Sequence, residues 1–138
     1  MHALGASAEN FRRSTGTELD FVNELPGLTL PAEQETQVFH IVQEALTNVA
    51  RHAHAQHARL RIAAARPGEV EIVVEDDGAG LPPTVGGSTH YGMEIMVERA
   101  RRLAGTLEVA ARQGGGTRVR LTFPVHVIDA ATAAARVA

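Results

Sequence analysis

A carboxylate and an amide lie four residues apart in the segment QEALTNVARHA, at Glu44 and Asn48. This spacing places both side chains on one face of a helix. The amide oxygen of Asn48 could ligate Mg²⁺, which commonly takes one or two protein oxygens together with phosphates and water. Glu44 could orient or deprotonate a nucleophile. Taken alone, the pattern ExxxN is very common, and a solvated helix face is the better explanation.

A second candidate site follows in the segment VVEDDGAGLP, where an apolar run ends in Asp76. Asp76 could accept a hydrogen bond from an exocyclic amine such as adenine N6. Gly78 and Gly80 would let the backbone approach a ligand closely. The alternative is an ordinary Asp-Gly hairpin turn, but the long irregular segment that follows fits a tight hairpin poorly.

The chain from residue 78 to residue 92 is rich in glycine and leads into a predicted helix. Free N–H groups at a helix N-terminus favour phosphate, although a flexible linker would have the same composition. Neither the P-loop pattern nor GxGxxG occurs in the sequence. A nucleotide would therefore have to be held in another way.

Three histidines, His52, His54 and His57, lie close together and raise the question of a zinc site. They do not share a helical face, and HExxH is absent, so zinc binding by them is disfavoured. Arg51 lies on the face of Glu44 and is the better candidate, as a phosphate contact.

Hydrophobic periodicity predicts the elements that must position these residues. A helix from Pro31 to about His54 would bury one arc and leave a polar arc, which consists of Gln37, His40, Glu44, Asn48 and Arg51. A second helix spans 92–104, with Val97 on its inner side. Strands are predicted at 17–23, 58–65, 69–76, 106–111 and 117–123.

The pleat of two of these strands assigns directions to two polar residues. Asp76 has the parity of Val74, so it should point to the buried side as its strand ends. Thr117 has the same parity as Val119 and Phe123. A carboxylate that points inward requires a partner, which favours a functional interpretation of Asp76.

Three segments are predicted along the chain. Residues 1–16 are expected to be the end of an upstream linker helix, in which Leu4 and Phe11 would be poorly buried without a partner. Residues 17–124 form the domain. Residues 125–138 are an alanine-rich tail, for which a docked helix, a cloning remnant and a disordered end all remain open.

Composition narrows the class of protein. The 138 residues predict one domain. A net charge of −3 gives no general attraction to nucleic acid or to an anionic membrane, and the lack of cysteine excludes disulfides and thiolate metal sites. No apolar run approaches the ~20 residues of a membrane span. A soluble cytoplasmic domain, without direct contact to nucleic acid or membrane, is the simplest expectation.

Taken in order, these segments resemble the ATP-binding catalytic domain of sensor histidine kinases, in the GHKL ATPase superfamily. QEALTNVARHA resembles the N box, and VEDDGAGLP the first glycine box. HYGMEIMVERARRLAGTLEV, followed by GGGTRVRLTFP, resembles the second glycine box and the closing hairpin. QEALTN and HYGMxIMxERA are similar to the nitrate/nitrite-sensor type. The implied fold is α+β, a two-layer α/β sandwich with a mixed sheet of about five strands and helices on one face.

The resemblance also implies roles for individual residues. Asn48 would ligate Mg²⁺, and Glu44 would act near the γ-phosphate, so these two form the catalytic set. Asp76 would bind adenine N6, and residues 81–91 would form a lid with its hinge at Tyr91 and Gly92. The implied ATP-binding set is Asn48, Arg51, His52, Asp76, Gly78, Gly80, Tyr91, Gly92, Met93 and Thr117.

The partners implied are a dimerisation and phosphoacceptor domain and a response regulator with a helix-turn-helix output domain. No ELHD-like acceptor motif occurs in these residues, so this chain should bind ATP without phosphorylating itself. Two alternatives stay open: a stand-alone serine kinase of the anti-sigma type, and a binding module that has lost nucleotide.

Overall fold

The structure, a computed structural model, describes residues 2–79 and 88–125. Helix α1 spans His2–Ser14, α2 spans Ala32–Asn48 and α3 spans Ser88–Arg102. A short π-helix, Val49–Ala53, continues α2. The strands are β1 (Glu18–Asn23), β2 (His57–Arg66), β3 (Glu69–Asp76), β4 (Thr106–Ala111) and β5 (Thr117–Pro124).

Five strands form one mixed sheet in the order β1-β2-β3-β5-β4. β1 runs parallel to β2, and the other neighbouring pairs are antiparallel. The inner face of β3 and β5 alternates as the sequence predicts, with buried Val70, Ile72, Val74, Val119, Leu121 and Phe123. These side chains pack against apolar residues of the helices, such as Val38 and Met96. The predicted α+β sandwich with a five-stranded mixed sheet is confirmed.

The outer face of the sheet carries several ion pairs beside a few apolar side chains such as Val73. Arg61 pairs with Glu24 at 2.9 Å and approaches Glu71 at 3.6 Å, while Arg120 contacts both Glu71 and Glu108. Exposed pairs of this kind contribute little to stability. They keep this face polar, so the buried carboxylate of the candidate site must belong to the opposite, helix-bearing face.

Helix α1 is part of the folded unit. Leu4 is 1% and Phe11 is 5% exposed, and Arg12 donates two hydrogen bonds to the carbonyl of Leu19, at 2.9 and 2.7 Å. Ser7 donates a hydrogen bond to Gln43 of α2 at 3.0 Å. Leu4 and Phe11 therefore have the partner that the sequence analysis said they need, and β1 and α2 of this domain provide it.

Helix α3 begins at Ser88, four residues before the predicted start. Tyr91 and Gly92 thus lie within the first turns of a helix. Val97 is 41% exposed, which corrects its expected inward position, because the buried stripe of α3 runs through Met96, Ala100 and Leu103. Residues 80–87, which hold most of the predicted lid, and residues 126–138 of the tail lie outside the described residues.

Among residues 2–79 and 88–125, no helix is both long and apolar enough to cross a membrane.

Candidate functional site

The buried end of β3 holds the most constrained polar residue of the domain. Asp76 is 4% exposed, which confirms the direction predicted from strand parity. It lies between Ala58 of β2 and Thr117 of β5 in the sheet register, and its Oδ1 accepts the N–H of Gly78 at 2.9 Å. Within the described residues this is the hydrogen bond that the carboxylate makes, so Oδ2 remains for another donor.

The glycine turn between β4 and β5 packs directly against this strand end. A Cβ on Gly116 would lie 1.8 Å from the carbonyl oxygen of Asp76 and 2.9 Å from the Cα of Asp77. Gly116 also has a φ of +102°, which a side chain rarely allows. The GGGT segment therefore has a structural task beyond forming a turn, since it supports the backbone of the candidate site.

Asp77 joins this strand end to the loop that follows the π-helix. Its Oδ1 accepts the N–H groups of Gln56 at 2.9 Å and His57 at 3.0 Å, and its Oδ2 lies 3.0 Å from His57 Nδ1. In return, the N–H of Asp77 donates to the carbonyl of His57 at 3.1 Å. Sequence reasoning missed this residue, because its partners lie on a segment distant along the chain.

These contacts shift both titratable groups. The backbone hydrogen bond from His57, followed by those from its ring and from Gln56, lowers the pKa of Asp77 to about 2. The hydrogen bond to Asp77, with smaller effects of Glu18 and Asp20, raises the pKa of His57 above its ordinary 6.5. Both shifts favour the charged pair.

The two pKa shifts define the range of pH in which the charged pair of Asp77 and His57 stabilises the fold. Asp77 contributes fully above its ordinary pKa of 3.8, and its contribution is lost as the pH falls towards 2. His57 contributes fully below 6.5 and loses its contribution as the pH rises through the raised folded-state pKa. Urea unfolding of the wild type and Asp77→Asn should therefore differ most between about pH 4 and 6.5. A difference that does not change with pH would contradict this assignment.

The polar arc of α2 is only partly solvated. Glu44 and Asn48 are half-buried, and α2 packs against both α3 and β3. Gln37 is 9% exposed and accepts a hydrogen bond from Arg99 of α3 at 3.0 Å. Gln37 lies on the predicted polar arc, but it is not solvated, because α3 covers the N-terminal part of that arc.

The π-helix alters the end of the predicted helix. His54 closes it in the left-handed conformation, with φ 51°, and Arg51 is exposed. The face assigned to Arg51 assumes 3.6 residues per turn, and a π-helix has a wider repeat. The wider repeat turns Arg51 away from the exact position that a regular α-helix would give it relative to Glu44. Such π segments are frequent at functional sites.

The structure brings some predicted site residues together and leaves others undescribed. Asp76, Gly78 and Thr117 meet at one end of the sheet, and Met93 packs half-buried against the core. Gly80 and the side chains of His52 and Tyr91 lie outside the described residues. In the described part of the chain, no group of three or more His, Asp or Glu side chains is placed to hold a metal ion.

Comparison with known proteins places the chain in a family. Residues 33–127 match the family model described as histidine kinase-, DNA gyrase B-, and HSP90-like ATPase. The chain is 36% identical over 122 residues to a "Sensor protein NarQ homolog" of Haemophilus influenzae, covering 88% of this chain and 22% of the relative. It is 36% identical over 121 residues to the nitrate/nitrite sensor protein NarX of Escherichia coli K12, covering 88% of this chain and 20% of that protein. The chain thus spans about one fifth of the length of these relatives.

A solved structure agrees with these relatives. The histidine kinase domain of the blue-light activated histidine kinase of Erythrobacter litoralis superposes with a TM-score of 0.74 at 25% identity, covering 88% of this chain and 59% of that one. The resemblance inferred from the three sequence boxes is confirmed. The chain belongs to the family of histidine kinase-, DNA gyrase B- and HSP90-like ATPases, and it resembles the corresponding part of a nitrate/nitrite sensor protein.

Proposed function

We propose that this domain binds Mg-ATP and donates the γ-phosphoryl group to a histidine on a dimerisation domain of a two-component sensor kinase. The observation that carries the proposal is the carboxylate of Asp76, 4% exposed and on the helix-bearing face of the sheet. A buried carboxylate needs donors, and within the described residues one of its two oxygens has one.

Asp76 defines the adenine end of the proposed site. Its Oδ1 is held by the N–H of Gly78, so Oδ2 is the oxygen that would accept the exocyclic N6 amine. Thr117 lies directly opposite in the register and would support the same end. Gly78 and Gly80 would form the floor there, where a Cβ would reduce the space for the base.

Glu44 and Asn48 define the proposed phosphate end. Half-buried on α2, they offer one carboxylate and one amide oxygen, which are ligands that suit a hard cation. Asn48 would ligate Mg²⁺, and phosphates and water would complete its coordination. Bound Mg²⁺ neutralises negative charge on the phosphates. Glu44 would orient or deprotonate a nucleophile near the γ-phosphate.

The remaining predicted contacts complete this proposal. Arg51 and His52 would approach the phosphates from the π-helix. Residues 81–91 would form the lid, and Tyr91, Gly92 and Met93 would line its base within the first turns of α3. Phosphoryl transfer depends chiefly on positioning and on stabilisation of charge, which is what these groups can supply.

The proposed partners follow from the sensor kinases that the chain resembles. They are the acceptor histidine of a dimerisation domain outside this sequence and a response regulator with a helix-turn-helix output domain. We place the domain on the cytoplasmic side, where ATP is available. Nothing in the described residues or in the comparisons favours the serine kinase of the anti-sigma type.

If Asn48 ligates Mg²⁺, removal of its side chain should reduce the amount by which Mg²⁺ strengthens ATP binding. We expect the isolated domain to bind ATP with a Kd in the micromolar to millimolar range, about −4 to −8 kcal/mol, and more tightly with Mg²⁺ than with EDTA. Asn48→Ala should reduce the gain from Mg²⁺ about fivefold or more, because it removes the protein ligand. Calorimetric titration of both forms measures this gain.

The neighbouring variant Thr47→Ala is the control, since it trims a side chain on the same helical turn and leaves Asn48 in place. An undiminished magnesium effect in Asn48→Ala would remove Asn48 from the metal site. Loss of the effect in both variants would assign it to a general disturbance of α2.

A further inference from the structure

The carboxylate of Asp77 connects two segments that lie 20 to 21 residues apart along the chain. One segment is the loop at residues 54–56, which leaves the π-helix, together with His57 at the start of β2. The other is the end of β3. Three donors converge on the carboxylate, and the N–H of Asp77 returns a hydrogen bond to the carbonyl of His57 at 3.1 Å.

These two segments carry the two ends of the proposed nucleotide site. Asp76, at the adenine end, is the residue directly before Asp77. The helix that carries Asn48, at the phosphate end, runs through the π-helix into the loop that Asp77 holds. The end of β3 also packs against Gly116 of the turn between β4 and β5. A contact that fixes the loop to the strand end therefore fixes the separation of the two halves of the site.

We propose that Asp77 is a positioning residue of the nucleotide site, which aligns the adenine end with the phosphate end without touching the nucleotide. The proposal rests on the function proposed above and deepens it. A carboxylate suits this task, because it accepts only and has lone pairs for all three donors. Hydrogen bonds to a charged acceptor are also stronger than those between neutral groups.

His57 makes this contact sensitive to pH. Its Nδ1 lies 3.0 Å from Asp77 and its Nε2 lies 3.2 Å from Glu18 of β1, and Asp20 adds negative charge from the same strand. A protonated ring donates to both carboxylates, whereas a neutral ring donates from one nitrogen only. The same end of the sheet forms a cavity of about 310 Å³, whose other charged residues are Arg59, Glu75, Asp76 and Arg112.

Three variants separate positioning from simple loss of structure. Asp77→Ala removes all acceptors, and we expect ATP to bind about five- to twentyfold more weakly. Asp77→Asn keeps one oxygen for the two backbone N–H groups and should recover most of this loss. His57→Gln keeps a side-chain donor but does not titrate. Glu69→Ala, at the other end of β3 and paired with Arg66, is the matched control and should bind as the wild type does.

The pH profile supplies a readout that a merely structural role would not change. Kd for ATP is measured from pH 6 to pH 9 for the wild type, Asp77→Asn and His57→Gln. Each value is divided by the Kd of His57→Gln at the same pH, so that the effect of titration of the nucleotide cancels. The ratio for the wild type should rise two- to threefold as His57 loses its proton. The ratio for Asp77→Asn should stay flat, because the charge that responds to His57 has been removed.

Several outcomes would overturn the proposal. One is a folded Asp77→Ala variant that binds ATP within twofold of the wild type. If Asp77→Ala does not fold, identical pH profiles for the wild type and Asp77→Asn overturn it instead. Absence of ATP binding by the wild type would contradict the proposed function itself, whereas normal binding with a flat wild-type profile would contradict only the role of Asp77.

Discussion

Asp76→Asn is expected to weaken ATP binding about ten- to a hundredfold while the domain remains folded. In the wild type, Oδ1 accepts the N–H of Gly78 at 2.9 Å, and Oδ2 is proposed to accept the adenine amine. An amide can satisfy only one of these donors, because its second position is an NH₂ group. Either the N–H of Gly78 or the N6 amine of adenine then faces the NH₂ group of the new amide and loses its hydrogen bond. A lost hydrogen bond to a charged group costs about 1.5–3 kcal/mol.

The neighbouring residue provides the control. Glu75→Gln makes the same chemical change one position earlier on β3, where the pleat directs the side chain to the outer face, and it should leave the affinity for ATP unchanged. Thermal unfolding of both variants shows whether the fold persists. Equal affinities of Asp76→Asn and the wild type would show that this carboxylate does not recognise the base.

Gly116→Ala is expected to lower the free energy of unfolding by about 2–5 kcal/mol, which combines two costs. A side chain at positive φ costs about 1–2 kcal/mol, and an added methyl group in a filled space costs about 1–3 kcal/mol. The new Cβ would lie 1.8 Å from the carbonyl oxygen of Asp76, so β3 or the turn must move. Urea denaturation measures this loss, and weaker ATP binding should accompany it because Asp76 is displaced.

The adjacent glycine separates the two costs. Gly115 has a φ of +112°, and an added Cβ would have no neighbour within 4 Å. Gly115→Ala should therefore show only the conformational cost of about 1–2 kcal/mol. Equal destabilisation by the two substitutions would mean that the close approach of Gly116 to Asp76 has no energetic consequence.

Strand parity predicted the most important direction in the site correctly. Asp76 and Thr117 each continue an alternation of buried residues, and alternation is a local property that the sequence displays directly. The positions of the strands and of α2 followed from the same kind of periodicity, whereas the mixed sheet was implied by the family resemblance. The three boxes, in their order, then indicated the family.

The contacts that sequence reasoning missed all join distant segments. Asp77 acts through residues 56 and 57, and Gln37 is buried because Arg99 reaches it from α3. The burial of Phe11 depends on where β1 and α2 lie. Periodicity describes which residues share a face, but it does not say which other element will cover that face. The π-helix at 49–53 was missed because the pattern assumes a regular 3.6-residue repeat.

The central claim is that Asp76 recognises adenine in a nucleotide site on the helix-bearing face of the sheet. Calorimetric titration of the unmodified domain with Mg-ATP and with Mg-ITP tests it directly, because ITP replaces the exocyclic amine with a carbonyl oxygen. The account predicts saturable binding of one ATP per domain and at least a tenfold lower affinity for ITP, about 1.4 kcal/mol. Equal affinity for the two nucleotides, or no saturable binding of ATP, would contradict it.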